Sequence, residues 1–254
     1  MGEKALGEKA PREPAPARNA FGRRSVAALG VRIESREAVR RHGSRQMGRR
    51  RSVMATRGFT GRPPAAAIRE RLPPGQYLTD DFPVLQLGPT PRVTTEGWRF
   101  TLRQGSRPLA SWTWEEFAQL PRTRWSGDIH CVTKWSKFDT AWEGVSFDDI
   151  LAAAGLEAPT GFLLAESHDD YTTNVPVADL TGGKAMVATH YDGKPIPPDH
   201  GGPARLLVPH LYFWKSAKWV KGLRFTERDE AGFWELRGYH MYGDPWREQR
   251  FSGD

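Results

Sequence analysis

All ten tryptophans fall between Trp98 and Trp246. Large aromatic side chains carry much of the apolar area that a core or an interface buries. Their confinement divides the chain into a body able to pack and an N-terminal stretch with little to pack. Charge divides at the same place. Residues 1–72 hold eighteen Lys/Arg against six Asp/Glu, a net of +12, whereas residues 73–254 carry a net of −5. The overall +7 is therefore a property of the first stretch. Residues 1–72 are expected to form a basic, unstructured and solvated extension, and residues 73–254 the folded domain. A mildly acidic body makes nucleic acid an improbable partner for it.

Cys131 is the single cysteine, so no internal disulfide is possible and a cytoplasmic setting is the default expectation. No apolar run reaches the roughly 18 residues of a membrane span. Arg23-Arg24 followed by Ser-Val-Ala-Ala-Leu-Gly-Val has the opening of a twin-arginine export signal, but Arg32 ends the apolar run too early. Met47 and Met54 close the basic stretch, and a translation start at Met54 is the expectation; recovery of Met1 or Gly2 at the native N-terminus would rule it out.

The elements of the body announce themselves unevenly. Gln76–Leu87 reads as extended, with Pro83 limiting any ladder. Trp98–Leu102 alternates like a strand, Gly105–Pro108 turns, and Leu109–Trp112 returns. Thr113 and Glu116 are spaced as a capping box for a short helix that Pro121 ends. Ser146 and Asp149 open a second helix, Phe147–Ala154, with Gly155 at its C-terminal stop. Gly161–Ala165, Ala185–Tyr191, Arg205–Val208 and Val220–Thr226 read as strands, and Asp192-Gly193 as a tight turn. Without βαβ regularity or repeats, the fold class is α+β, a mixed β-rich single domain.

Chemistry centres on Asp128-Ile129-His130-Cys131-Val132-Thr133-Lys134-Trp135-Ser136. A lone cysteine is ordinarily an inert buried side chain, but His130 and Lys134 are placed to favour its thiolate. Structural thiol, nucleophile and soft metal ligand remain open. One thiolate cannot hold zinc or an iron–sulfur cluster alone; it can complete a site where a cofactor brings further sulfurs, as a pterin dithiolene does for molybdenum. Such a cofactor carries a phosphate. Asp199-His200-Gly201-Gly202-Pro203-Ala204-Arg205 offers paired glycines for close backbone approach and an arginine for bidentate anion binding. Lys215-Ser216-Ala217-Lys218-Trp219 adds two ammonium groups and backbone donors. A Gly-Pro loop with a solvated Lys face is the plainer reading of these two segments.

Taken together, His130–Ser136, Gly201–Pro209 and Lys215–Trp219 resemble, in order and spacing, the molybdopterin-binding domain of the sulfite oxidase family. The resemblance runs over roughly Gln76 to Phe225, extends to the tail segment up to Phe251, and looks strongest to the compact bacterial branch that includes the methionine-sulfoxide reductase catalytic subunit. It implies Cys131 as the protein ligand to molybdenum and Arg205 as a pterin contact. It implies Ser216, Ala217 and Lys218 at the phosphate, His200 against the cofactor, Ser167 as a further contact, and Gln86 as the contact from the early extended segment. Sulfite oxidases carry an arginine soon after the metal cysteine as part of an anion pocket; here Lys134 and Lys137 are the nearest cations in sequence, which counts against sulfite itself.

The C-terminal block Phe233–Glu248 is dense in aromatics around Tyr239-His240. It reads either as an arm packing its rings on the body or as the substrate mouth, with Tyr239 and His240 as catalytic candidates and His168 and Tyr171 beside them. The implied activity is a two-electron oxygen-atom transfer or its reverse on a small substrate, a sulfur-containing one being one option, with a molybdenum–molybdopterin cofactor. Electrons would pass singly to a separate haem, flavin or ferredoxin-type partner. The rivals are a cysteine hydrolase or transferase using Cys131 with a histidine, and a non-catalytic binding module on the same fold.

Overall fold

The structure, a computed structural model, describes residues 66–254. The expectations for residues 1–65, including the start at Met54, lie outside the described residues. In chain order the elements are α1 (Ala66–Arg71), β1 (Tyr77–Leu78), β2 (Arg99–Gln104), β3 (Arg107–Thr113), α2 (Trp114–Ala118), β4 (Thr123–His130), β5 (Trp135–Ser146), α3 (Phe147–Ala153), β6 (Phe162–Ser167), β7 (Thr172–Pro176), β8 (Met186–Tyr191), β9 (Lys194–Pro195), β10 (Arg205–Leu207) and β11 (Val220–Thr226).

Alternation drives the first hairpin. Phe100 and Leu102 are buried on one face of β2 while their neighbours face outward, and β3 returns antiparallel to it. At the end of β3, Thr113 and Glu116 form the reciprocal cap that starts α2. Ser146 Oγ accepts the Asp149 N–H at 3.0 Å and so starts α3. Both boxes satisfy amide groups that a helix's first turn leaves without partners.

Two sheets result. One runs β3-β2-β11-β6-β7; the other runs β1-β5-β8-β10, with β4 paired to β5 and β9 to β8. Two pairings are parallel, β1 with β5 and β11 with β2. Among the described residues the fold is a sheet-rich α+β domain, as expected. A larger core gathers Trp98, Phe100, Phe117, Phe147, Leu163 and Leu223, and Trp98 Nε1 donates to the Val220 carbonyl at 3.1 Å. A smaller core holds Ile129, Cys131, Trp135, Trp142, Ile196 and Phe213. The tryptophans thus organise the packing, as their distribution suggested.

Two departures concern the site. Residues 66–71 form α1, although no helical period is legible there; Arg71 anchors it through Asp128 (2.8 and 2.5 Å) and Asp139 (2.6 Å). The β4–β5 hairpin, with Cys131 at its turn, also escapes the sequence reading. Its strands are interrupted by charged residues and carry register shifts at Gly127/Ile129 and at Glu143/Gly144. Bulges of this kind break the period of two on which strand recognition depends. No helix among the described residues is long and apolar enough to cross a membrane.

Candidate functional site

Cys131 follows the last residue of β4 and opens a tight turn. Its N–H donates to the Trp135 carbonyl at 2.8 Å, its carbonyl accepts the Lys134 N–H at 3.0 Å, and Lys134 takes a left-handed φ of 76°. The side chain is 6% exposed, and Thr133 Oγ1 donates to Sγ at 3.2 Å. Burial pushes the thiol above its ordinary range, opposed by Thr133, the Val132 backbone and the Arg250 charge.

His130 and Lys134 therefore do not activate the sulfur in the way the sequence suggests. Consecutive strand residues point to opposite faces, and the His130 ring meets Ser136 Oγ at 2.8 Å instead. Burial lowers the His130 ring to about 4, so it is neutral near pH 7. Lys134 is exposed. Lys137 donates to the Asp80 carbonyl at 2.7 Å.

The phosphate-cradle segments come together beside this turn. Arg205 on β10 is 1% exposed; its guanidinium donates to the His200 carbonyl at 2.8 Å and the Ser216 carbonyl at 2.7 Å and lies 4.2 Å from the Phe213 ring. Lys218 Nζ donates to the Asp199 carbonyl at 2.6 Å and the Leu85 carbonyl at 3.0 Å. Burial and the nearby Arg205 lower Lys218 to about 7. Two cations thus share one desolvated region, held by carbonyls, an arrangement that favours an anion between them. Ser216 Oγ accepts the Val208 N–H at 2.9 Å, Ala217 is buried, and the His200 ring stacks on Phe82 at 4.0 Å between centroids.

Three sequence expectations change here. Gly201 and Gly202 serve the protein's own packing: a Cβ on Gly202 would sit 2.0 Å from the Ile196 carbonyl oxygen, and one on Gly201 (φ 103°) 2.9 Å from the Lys218 backbone. Lys215 is 0% exposed and turns away from Lys218. Its ammonium reaches Glu235 Oε1 (2.6 Å), Asn174 Oδ1 (2.7 Å) and the Met241 carbonyl (2.6 Å), a buried ion pair that ties the C-terminal arm to the body. Gln86 pairs with Thr90 at 3.0 Å. The early-segment residue at the Cys131 turn is Gln76, whose Nε2 donates to the Cys131 carbonyl at 3.1 Å; nothing in its sequence context marks it.

Ser167 ends β6, and the following turn is fixed by the His168 N–H donating to the Trp219 carbonyl at 2.9 Å. In the C-terminal arm the Tyr239 ring stacks on Trp234 at 4.8 Å and edges Trp214 at 5.1 Å. Burial raises the Tyr239 hydroxyl above its ordinary range. The His240 Nδ1 accepts the Tyr242 and Gly243 N–H groups at 2.9 and 3.2 Å, so that face of the ring caps a turn. Tyr171 donates from its hydroxyl to the Trp214 carbonyl at 2.6 Å. A second residue missed in the sequence is Arg250, from the far end of the arm, whose guanidinium donates to the Val132 carbonyl at 2.9 Å.

The donor set can be tested against a large anionic cofactor. Among the described residues, buried polar atoms without a hydrogen-bond partner include Ser167 Oγ, His168 Nε2 and Arg205 Nε. Buried polar groups are ordinarily paired, so this number around one thiol and two cations fits a bound polar group.

A sheet-rich domain with a buried thiol beside paired cations matches a known class. The model of the oxidoreductase molybdopterin-binding domain family covers residues 87–234. The chain is 40% identical over 185 residues to the uncharacterized oxidoreductase YuiH of Bacillus subtilis, covering 72% of this chain and 93% of that one. It is 29% identical over 133 residues to a putative protein-methionine-sulfoxide reductase subunit of Azospira oryzae, covering 52% and 50%. It is also 29% identical over 108 residues to rat mitochondrial sulfite oxidase, covering 39% and 20%. The chain spans half the length of the second relative and a fifth of the third. It belongs to the molybdopterin-binding oxidoreductase family, and is an oxidoreductase of the sulfite oxidase-like type that uses a molybdenum–molybdopterin cofactor.

Proposed function

We propose that Cys131 is the protein's ligand to molybdenum, and that the chain catalyses a two-electron oxygen-atom transfer on a small substrate. The observation that carries this reading is that Cys131 packs in one cluster with Phe213 and Leu85, where Arg205 lies over the Phe213 ring and Lys218 donates to the Leu85 carbonyl, both cations bonding carbonyls rather than carboxylates. When bound, the cofactor supplies the redox centre and the further sulfur ligands. Arg205, Lys218 and the Ser216–Ala217 backbone hold its anionic end. Ser167 and His200 line its path, and Thr133 Oγ1 supports the sulfur. Tyr239 offers a hydroxyl on the substrate side.

A soft thiolate suits this metal, and coordination deprotonates a thiol outright, so burial of Cys131 is no obstacle. A cysteine nucleophile would need an imidazole at Sγ, whereas the donor there is Thr133 and His130 faces Ser136. A separate one-electron carrier completes turnover; a haem protein, flavoprotein or ferredoxin would serve.

Elemental analysis and cofactor extraction on protein from a molybdenum-replete host test the proposal. About one molybdenum per chain is expected, with loss of turnover in Cys131→Ser. Metal-free but fully active protein would overturn it.

A further inference from the structure

The family model matches residues 87–234. The segments on either side of that range converge on the turn that carries Cys131. Three carbonyls of that turn are held from these flanks. The Cys131 carbonyl accepts Gln76 Nε2 at 3.1 Å. The Val132 carbonyl accepts Arg250 Nη1 at 2.9 Å. The Lys134 carbonyl accepts the Tyr77 N–H at 2.8 Å, through the parallel pairing of β1 with β5.

Arg250 also closes the ring between the flanks. Its second nitrogen donates to the Pro74 carbonyl at 3.3 Å, and its guanidinium lies 5.0 Å from the Tyr212 ring. It is 8% exposed. Glu248 stands 3.7 Å away as its counter-charge. An arginine this well desolvated, with one carbonyl of the Cys131 turn and one of the N-terminal flank on its fork, is placed for geometry rather than for solvent.

We infer that Gln76 and Arg250 are positioning residues for the Cys131 sulfur, a clamp supplied from the segments on either side of residues 87–234 that fixes how the thiolate meets the metal. The inference rests on the reading of Cys131 as the molybdenum ligand. Residues that hold a ligand's orientation tune the centre without touching it.

The test uses the full chain and the variants Gln76→Met and Arg250→Gln. Two readouts are taken on each: the Mo(V) electron paramagnetic resonance spectrum, and the rate at which iodoacetamide labels the single cysteine in metal-free protein. Both variants are expected to keep molybdenum and to show displaced Mo(V) spectra. Gln76→Met, which changes no charge, is expected to label Cys131 roughly fivefold faster, the loss of one hydrogen bond. Wild-type spectra and wild-type labelling in both variants would overturn the clamp. If Arg250→Gln does not fold, Gln76→Met decides by the same criteria. If wild-type protein holds no molybdenum, the ligand reading fails, and the labelling rate still decides the clamp.

Discussion

Lys215 donates into Asn174, Glu235 and Met241, whereas Lys218, three residues on, donates to carbonyls beside Arg205. The two ammonium groups should respond oppositely to neutralisation. Lys215→Met strands Glu235 as a buried unpaired carboxylate, and a loss of about 3–5 kcal/mol in urea unfolding is expected. Lys218→Met removes a desolvated charge, so stability should hold while cofactor affinity falls roughly ten- to a hundredfold, read as pterin per chain. His200 gives a pH signature. Burial lowers its ring to about 4 from an ordinary 6.5, so the unfolded chain binds more protons between those values. Its contribution to stability is full above about 6.5 and is lost as pH falls toward 4. His200→Phe keeps a ring on Phe82 and is expected to reduce the slope of the urea-midpoint profile across that window, His130 supplying part of what is left; an unchanged slope would show that His200 does not contribute to it.

At the scale of elements, what was legible follows from locality. Caps depend on residues three apart, so Thr113/Glu116 and Ser146/Asp149 were readable, and Ser146→Ala should cost about 1 kcal/mol without altering molybdenum content. Strands β2, β6, β8 and β11 show clear apolar patterns. The β4–β5 hairpin was hidden by its bulges, and α1 is held by an ion pair to residues far along the chain. Cys131, Arg205 and Lys218 were found through motif resemblance. Gln76 and Arg250 were not, because they act through backbone carbonyls distant in sequence and leave no local pattern. The glycine pair was noticed for the wrong reason. Gly202→Ala would drive its Cβ into the Ile196 carbonyl, and misfolding or a loss above about 2 kcal/mol is expected, read by thermal melt before any cofactor is considered.

Among the described residues, one sheet carries both β10 and the β4–β5 hairpin, with β8 between them, and the C-terminal arm reaches the hairpin turn through Arg250. Lys215–Glu235 fixes the start of that arm and Arg250 its end, so the arm is built into the site rather than laid upon it. The fold gathers the thiol and the paired cations around Phe213 and Leu85, the preorganisation that a tightly held redox group needs. X-ray absorption at the molybdenum edge, on wild type and Cys131→Ser, tests the central claim most directly. One fewer sulfur scatterer in the variant is the expected result; identical sulfur coordination in the two proteins would contradict it.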